Sequence, residues 1–307
     1  MEYEPAQLPL DLFALGRALA YAGALLLVGS CAFLALIPRW RTELDDDRSL
    51  PARALPRAWR VATGAGGLLV VAHLLRAYGQ VRSFLEPGET ITWEAARPII
   101  AQTTWGRGWL AQLGAASLAL LVAWLAARRP APGLALLGTS ALAVAVTSPL
   151  TGHAGEHPWG AAFGIGLHSV HLLGGGIWLG TLATLAIAAL PVVADHAALA
   201  RLVAAFSPLA LVGAGLAVSA GLLLGYGYVG DLTALTTSTY GRTLLVKTVL
   251  LAGTMGLGAW NWRSVTPRLG TADGTRQLSR STRLELTLGL LLIGATAVLV
   301  ALPAPKI

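Results

Sequence analysis

Eight stretches of this chain are each apolar and long enough to cross a bilayer, and that repetition restricts the fold more than any single motif. A helical crossing needs about 20 apolar residues. Backbone polar groups in hydrocarbon must be satisfied within the segment, so the pattern predicts an all-α bundle of eight transmembrane helices. The stretches run over 12–37, 58–84, 108–127, 133–150, 161–193, 202–229, 241–262 and 283–302. Composition agrees: 55% of the 307 residues are hydrophobic and 12% charged, with a mean hydropathy of +0.66, which lies outside the range of soluble domains. The opening MEYEPAQLPLD is acidic rather than basic, which argues against a cleaved leader and keeps the first stretch as a helix.

Basic residues orient the bundle. Of 22 Lys and Arg residues, fourteen lie in or beside the connections between stretches 1 and 2, 3 and 4, 5 and 6, and 7 and 8. The other side holds Arg82, Arg97, Arg107, Arg242 and Lys306. The positive-inside rule therefore puts both termini outside. The net charge of +7 becomes a topology signal, and no basic interleaved surface supports a nucleic-acid partner.

Four of the six histidines, His153, His157, His168 and His171, fall within nineteen residues. His168 and His171 are three apart and share a helical face. At about 1.5 Å rise per residue, His73 of the second stretch reaches a depth similar to His171, so three imidazoles can meet in the outer half of the bundle. Intramembrane polar groups usually face a cavity or a partner, which favours a functional role for these three; a hydrogen bond to neighbouring backbone is the alternative for His73. His153 and His157, with Glu156 between them, precede the fifth helix in a loop that Gly155 and Pro158 keep from being helical. They serve either as an entrance for metal or as solvated loop residues. His196, beside Asp195 in an inner connection, reads as solvated. Gly174, Gly175 and Gly176 permit close helix contact or a local distortion. Trp93, Trp105, Trp109 and Trp159 suit an interfacial aromatic belt.

Internal similarity suggests two halves, 12–150 and 151–307. Thr104-Trp105-Gly106-Arg107 opens the third helix as Thr239-Tyr240-Gly241-Arg242 opens the seventh. Tyr78-Gly79-Gln80-Val81 ends the second as Tyr226-Gly227-Tyr228-Val229 ends the sixth. Order and direction match, as expected of two four-helix parallel repeats. Gly221 stands where the first half has His73, so the histidine site is single and asymmetric.

His168-Ser169-Val170-His171, Ile177-Trp178-Leu179-Gly180, Phe206-Ser207-Pro208, Thr239-Tyr240-Gly241-Arg242 with Leu245 and Lys247, and Asn261-Trp262-Arg263 with Pro267 occur in that order. This set resembles the CopD copper-resistance family of bacterial inner-membrane proteins. The likeness runs best from 160 to 269, the first half being similar mainly in helix pattern. It implies an eight-helix plasma-membrane protein that handles periplasmic copper, by uptake or by transfer from a soluble periplasmic carrier.

The donor set is limited. Imidazole suits copper, and thiolate or thioether would favour Cu(I), but the chain has only Cys31, Met1 and Met255 besides its histidines. The expected metal ligands are therefore His73, His168 and His171, with His153 and His157 at the entrance. Arg76, Lys247, Tyr240 and Glu156 would tune or gate the site. The cations Arg17, Arg76 and Lys247 complicate a copper site, since the nearby carboxylates Asp11, Glu156 and Asp231 lie at the membrane edge; Arg17 and Lys247 can instead snorkel to the interface. The same constellation suits a b-type haem, with His73 and His168 or His171 as axial ligands and the basic groups on its propionates, which would make the chain an oxidoreductase. A structural subunit without metal is a third class. No phosphate-binding glycine loop is present, so nucleotide-driven transport is not expected, and Ser169 beside His168 is not a nucleophile pair.

Overall fold

The computed structural model describes residues 10–37, 46, 48–86, 88–128 and 130–303. Among them there is no strand, and eight helices have the length and apolarity to cross a membrane. In chain order the helices are α1 (Leu10–Leu36), α2 (Leu50–Arg82), a short α3 (Trp93–Gln102), α4 (Thr104–Ala126), α5 (Pro130–Thr147), α6 (Ala161–Gly175), α7 (His196–Val229), α8 (Thr239–Trp260) and α9 (Ala272–Leu299). The crossing begun by α6 continues to Val192 through π turns at Gly176–Gly180 and Leu185–Ala189.

Several helices begin earlier than hydropathy alone indicates, because caps rather than apolar content set their first turns. Ser49 caps α2 through Ala52 N–H, Asp195 caps α7 through Ala197 N–H, and Thr271 caps α9 through Gly274 N–H. The α2 and α9 starts thus lie eight and eleven residues before the expected boundaries at 58 and 283. Helix α3 falls between two of the expected apolar stretches; Thr92 caps it, and its apolar side rests on Val81 and Leu85.

Three helix starts use one device. Thr103, Ser238 and Thr271 each accept from the N–H three residues on, at Gly106, Gly241 and Gly274. Each of these glycines lies against a preceding carbonyl, of Ile100, Ala234 and Arg268 respectively, where a Cβ would collide.

The centre of the bundle is the crossing of α1 with the α6 continuation. Gly29 meets Gly180 backbone to backbone, and a side chain on either residue would overlap the other helix. Thr181 Oγ1 donates to the Gly29 carbonyl at 3.4 Å, and Ser30 and Thr184 hydroxyls lie 3.3 Å apart. The triple glycine both packs and distorts. Gly174 abuts Gly213 and Ala217 of α7, Gly176 abuts Val28 of α1, and the first π turn starts at Gly176. Helices α2, α4 and α5 pack in sequence beside α1, while α8 and α9 pair with each other and close the bundle against α1 and α7.

If the α1–α6 crossing holds the bundle together, Gly29→Leu lowers the thermal unfolding temperature of the detergent-purified protein sharply, through overpacking worth about 1–3 kcal/mol or more. Gly64→Ala, where nothing lies within 4 Å of the new methyl, leaves it unchanged or slightly raised. Equal melting of all three proteins would show that the crossing carries no special weight.

Candidate functional site

A cavity of about 220 Å³ opens between the ends of the helices on the side of the 148–160 connection. His73 from α2 and His168 and His171 from α6 all line it, together with Arg17 and Tyr21 from α1, Arg76 from α2, and Lys247 from α8. The three intramembrane histidines are thus brought into one chamber. Among the described residues, no three His, Cys, Asp or Glu side chains are grouped closely enough to hold a metal ion.

Each imidazole is fixed differently. His171 Nδ1 lies 2.7 Å from the Ala217 carbonyl; a carbonyl only accepts, so Nδ1 carries the proton and Nε2 keeps the lone pair a metal would use. Gly221 makes room for this ring, since a Cβ there would come within 3.0 Å of His171 Cε1. His168 Nε2 lies 3.2 Å from the Tyr228 hydroxyl. His73 is buried, and its Nδ1 has no hydrogen-bond partner. Its carbonyl accepts from Trp109 Nε1 at 2.8 Å. Trp109 therefore belongs to the bundle interior rather than to the interfacial belt, its indole N–H bonded to the His73 carbonyl; Trp93 and Trp159 remain exposed.

Arg76 does not snorkel. It is 7% exposed, donating from Nη1 to Gln112 Oε1 at 2.8 Å and from Nη2 to Thr151 Oγ1 at 2.5 Å. Gln112, 1% exposed, in turn donates to the carbonyls of Thr147 and Ser148, both at 2.9 Å. Sequence reasoning missed Gln112, although a lone amide in an Ala-rich helix was a visible signal. Tyr240 also lines the chamber. Among the described lining residues there is no Asp or Glu, and the three cationic side chains Arg17, Arg76 and Lys247 face the chamber.

The entrance residues are placed unevenly. The backbone of His153–Glu156 forms one 3-10 turn, but the side chains of His153 and Glu156, like that of Asp11, lie outside the described residues. His157 is not a solvated loop residue: it is 4% exposed and sits among Tyr228, Trp159 and Phe163 at ring distances of 5.1, 5.2 and 6.0 Å. Burial pushes its imidazole below the usual range, which favours the neutral ring. Nδ1 accepts from the Trp159 N–H at 3.2 Å, and Nε2 is buried without a partner. Tyr228 touches both His157 and His168 and so joins the connection to the chamber. Asp231 is remote from it; the Thr233 N–H holds its carboxyl below the ordinary carboxylate range. His196 is bonded to the Thr275 hydroxyl at 2.9 Å rather than merely solvated.

Glu285 is a second omission. It is buried in α9, and it was detectable as the one acid within the 283–302 stretch. It lies outside the chamber lining but is joined to it by Trp178, which lines the chamber and hydrogen-bonds the Glu285 carboxylate.

Comparison with known proteins fits this architecture. Residues 9–163 match the family model "Copper resistance protein D-like, N-terminal domain", and residues 200–299 match "Copper resistance protein D". The first half thus carries family signal well beyond its helix pattern. His168 and His171 fall between the two matched stretches. The chain is 25% identical over 305 residues to a protein of Bacillus subtilis (strain 168) called "Copper transport protein CutJ", covering 95% of this chain and 53% of that protein. It therefore spans about half the length of this curated relative. No solved structure gives a significant match. With eight membrane-competent helices and family models covering both halves, the chain belongs to the CopD copper-resistance family and is a multi-pass bacterial membrane protein.

Proposed function

We propose that this chain binds periplasmic copper in the chamber between α2 and α6, for uptake or for transfer. The donor set supports the reading most. His73, His168 and His171 line the chamber, whereas Cys31 and Met255 are absent from its described lining. His168 and His171, one helical turn apart, supply a pair of imidazoles suited to Cu(I), and His73 adds a third for Cu(II). A copper ion is the cargo here, not a resident group.

Copper reaches the chamber past His153, Glu156 and His157, with Tyr228 and Tyr240 bordering the way in. A soluble periplasmic carrier docks on the same connections. Arg76 and Lys247 hold an exchangeable carboxylate, which offsets the repulsion that three cationic side chains impose on an incoming metal ion. The bundle is oriented with both termini and the chamber mouth outside, because the arginine-rich connections lie at the opposite end. The halves 12–150 and 151–307 form a parallel repeat, a reading supported by the common glycine-backed cap at the starts of α4 and α8. Neither the family nor the relative gives the haem alternative any support, and we set it aside.

Copper and iron per chain, measured on purified protein after dialysis, test the reading. Near-stoichiometric copper is expected, weakened by at least about tenfold in His168→Ala and in His171→Ala, the lower end of what disturbing even the outer partners of a metal ligand costs. Unchanged stoichiometry and affinity in both variants would overturn the site, and iron in place of copper would overturn the cargo.

A finer perturbation probes the His171 ring itself. Gly221→Ala brings a methyl to about 3.0 Å from the ring and is expected to weaken copper binding several-fold, on the order of 1 kcal/mol, while the unfolding temperature stays close to that of the parent. Unaltered affinity would show that His171 orientation does not matter.

A further inference from the structure

Beyond the chamber wall the same helices enclose a second polar cluster. Glu285 is 3% exposed. Within the eight spans it shares acidic character only with Asp273, which lies in the first turn of α9. Its Oε2 accepts from Asn261 Nδ2 at 3.1 Å, and the Trp178 indole N–H also donates to the carboxylate. Both partners are neutral. Two further atoms beside this group lack partners: Asn261 Oδ1, on the same amide, and Thr282 Oγ1, one turn away on the Glu285 face of α9.

This arrangement serves both forms of a carboxyl group. The carboxylate uses the two N–H donors. The carboxylic acid needs an acceptor for its O–H, which the Asn261 amide provides by turning its otherwise unpartnered oxygen toward it. A buried charge without a counter-ion and a buried orphan acceptor are each costly, and proton exchange at Glu285 relieves them in alternation. Both partners sit on π turns, Trp178 within Gly176–Gly180 and Asn261 within Asn261–Val265, a local geometry often found at functional sites. Trp178 supplies the link to the chamber. It lies seven residues past His171, about 10 Å along the helix, and faces the chamber as well as Glu285. Of the other charged or titratable groups on the packed helices, Arg17, Tyr21, His171 and Lys247 line the chamber, Arg263 and Arg283 lie two residues from Asn261 and Glu285 with exposed side chains, and His196 is bonded to Thr275.

We infer that Glu285 is a proton-exchange site coupled to the occupancy of the chamber, with Trp178 and Asn261 as its positioning residues. A copper cation entering the chamber favours the carboxylate, and the carboxylic acid releases its proton to water. When copper leaves, one proton returns to the same oxygen. The inference rests on the copper reading above and assigns that site a charge-compensating partner.

The test is proton release on copper addition to the full-length protein in weakly buffered detergent solution between pH 6 and 8. The probe is anaerobic Cu(I) supplied as its acetonitrile complex, with bound copper counted in parallel. The wild-type protein is expected to release up to one proton more per bound copper than Glu285→Gln, at equal copper stoichiometry. Trp178→Phe, which keeps the ring and removes the donor, should lose most of that difference. Equal proton release from the wild type and Glu285→Gln at equal copper loading overturns the inference. A wild type that binds no copper overturns the copper reading itself, so the two failures are distinguishable. Should Glu285→Gln not accumulate, the infrared carbonyl band of a buried carboxylic acid in the wild-type protein gives the same answer: loss of the band on copper addition supports the inference, and an unchanged band overturns it.

Discussion

The contact of Gly29 with Gly180 is the constraint on which the rest of the bundle depends. In a membrane no hydrophobic force draws helices together, so packing has to come from close approach of backbones and from interhelical hydrogen bonds. At this crossing both are present, the glycines allowing the approach and Thr181, Ser30 and Thr184 adding polar contacts. Because α1 and the α6 crossing are locked there, the two helices border a defined space on the His168 side of the contact. Arg17 and Tyr21 reach it from one side and His168 and His171 from the other. The chamber is therefore a consequence of where the tightest contact sits.

Its electrostatic character follows from what surrounds it. Arg76 is held by neutral oxygens, of Gln112 and Thr151, rather than by a carboxylate. That choice keeps the guanidinium charge available to the interior, where low dielectric makes it felt at a distance. Imidazole donors beside Arg76 and Lys247 in one chamber suit a metal that arrives with an anion better than a bare cation. Among the described residues, Glu285 behind Trp178 is the buried acid on the neighbouring helices.

Much of this was legible in the sequence, for definite reasons. Long apolar stretches have few folds open to them, so the eight crossings were readable. Three histidines at membrane depth are rare enough that their convergence on one space could be anticipated from helix rise alone. Helix starts were misjudged where a cap extends the helix past the apolar stretch, as Ser49 and Thr271 do. Trp109 was misread because an indole near a boundary is usually interfacial, and only the position of the His73 carbonyl reveals otherwise. Gln112 and Glu285 escaped notice since neither belongs to a motif, and their importance lies in partners 35 and 24 residues away. The solvated alternative for His157 rested on its place in a loop, whereas its neighbours in space are rings.

The two π turns in the fifth crossing, the one begun by α6, carry a consequence for phase. Each wider turn accommodates about one residue more than an α-helical turn would, so every side chain beyond it is rotated by about 100° relative to an uninterrupted helix. The face that carries His168 and His171 is thereby uncoupled from the face that carries Thr181 and Thr184 against α1. A one-residue deletion in Gly176–Gly180 would restore regular winding and turn the whole lower half of the helix away from its partners. Gly176 and Gly180 leave no room for a side chain against α1, so the segment is fixed in composition at its two ends as well as in length. Within the family, variation in spelling should accordingly be confined to the residues between these glycines, and variation in number should be absent.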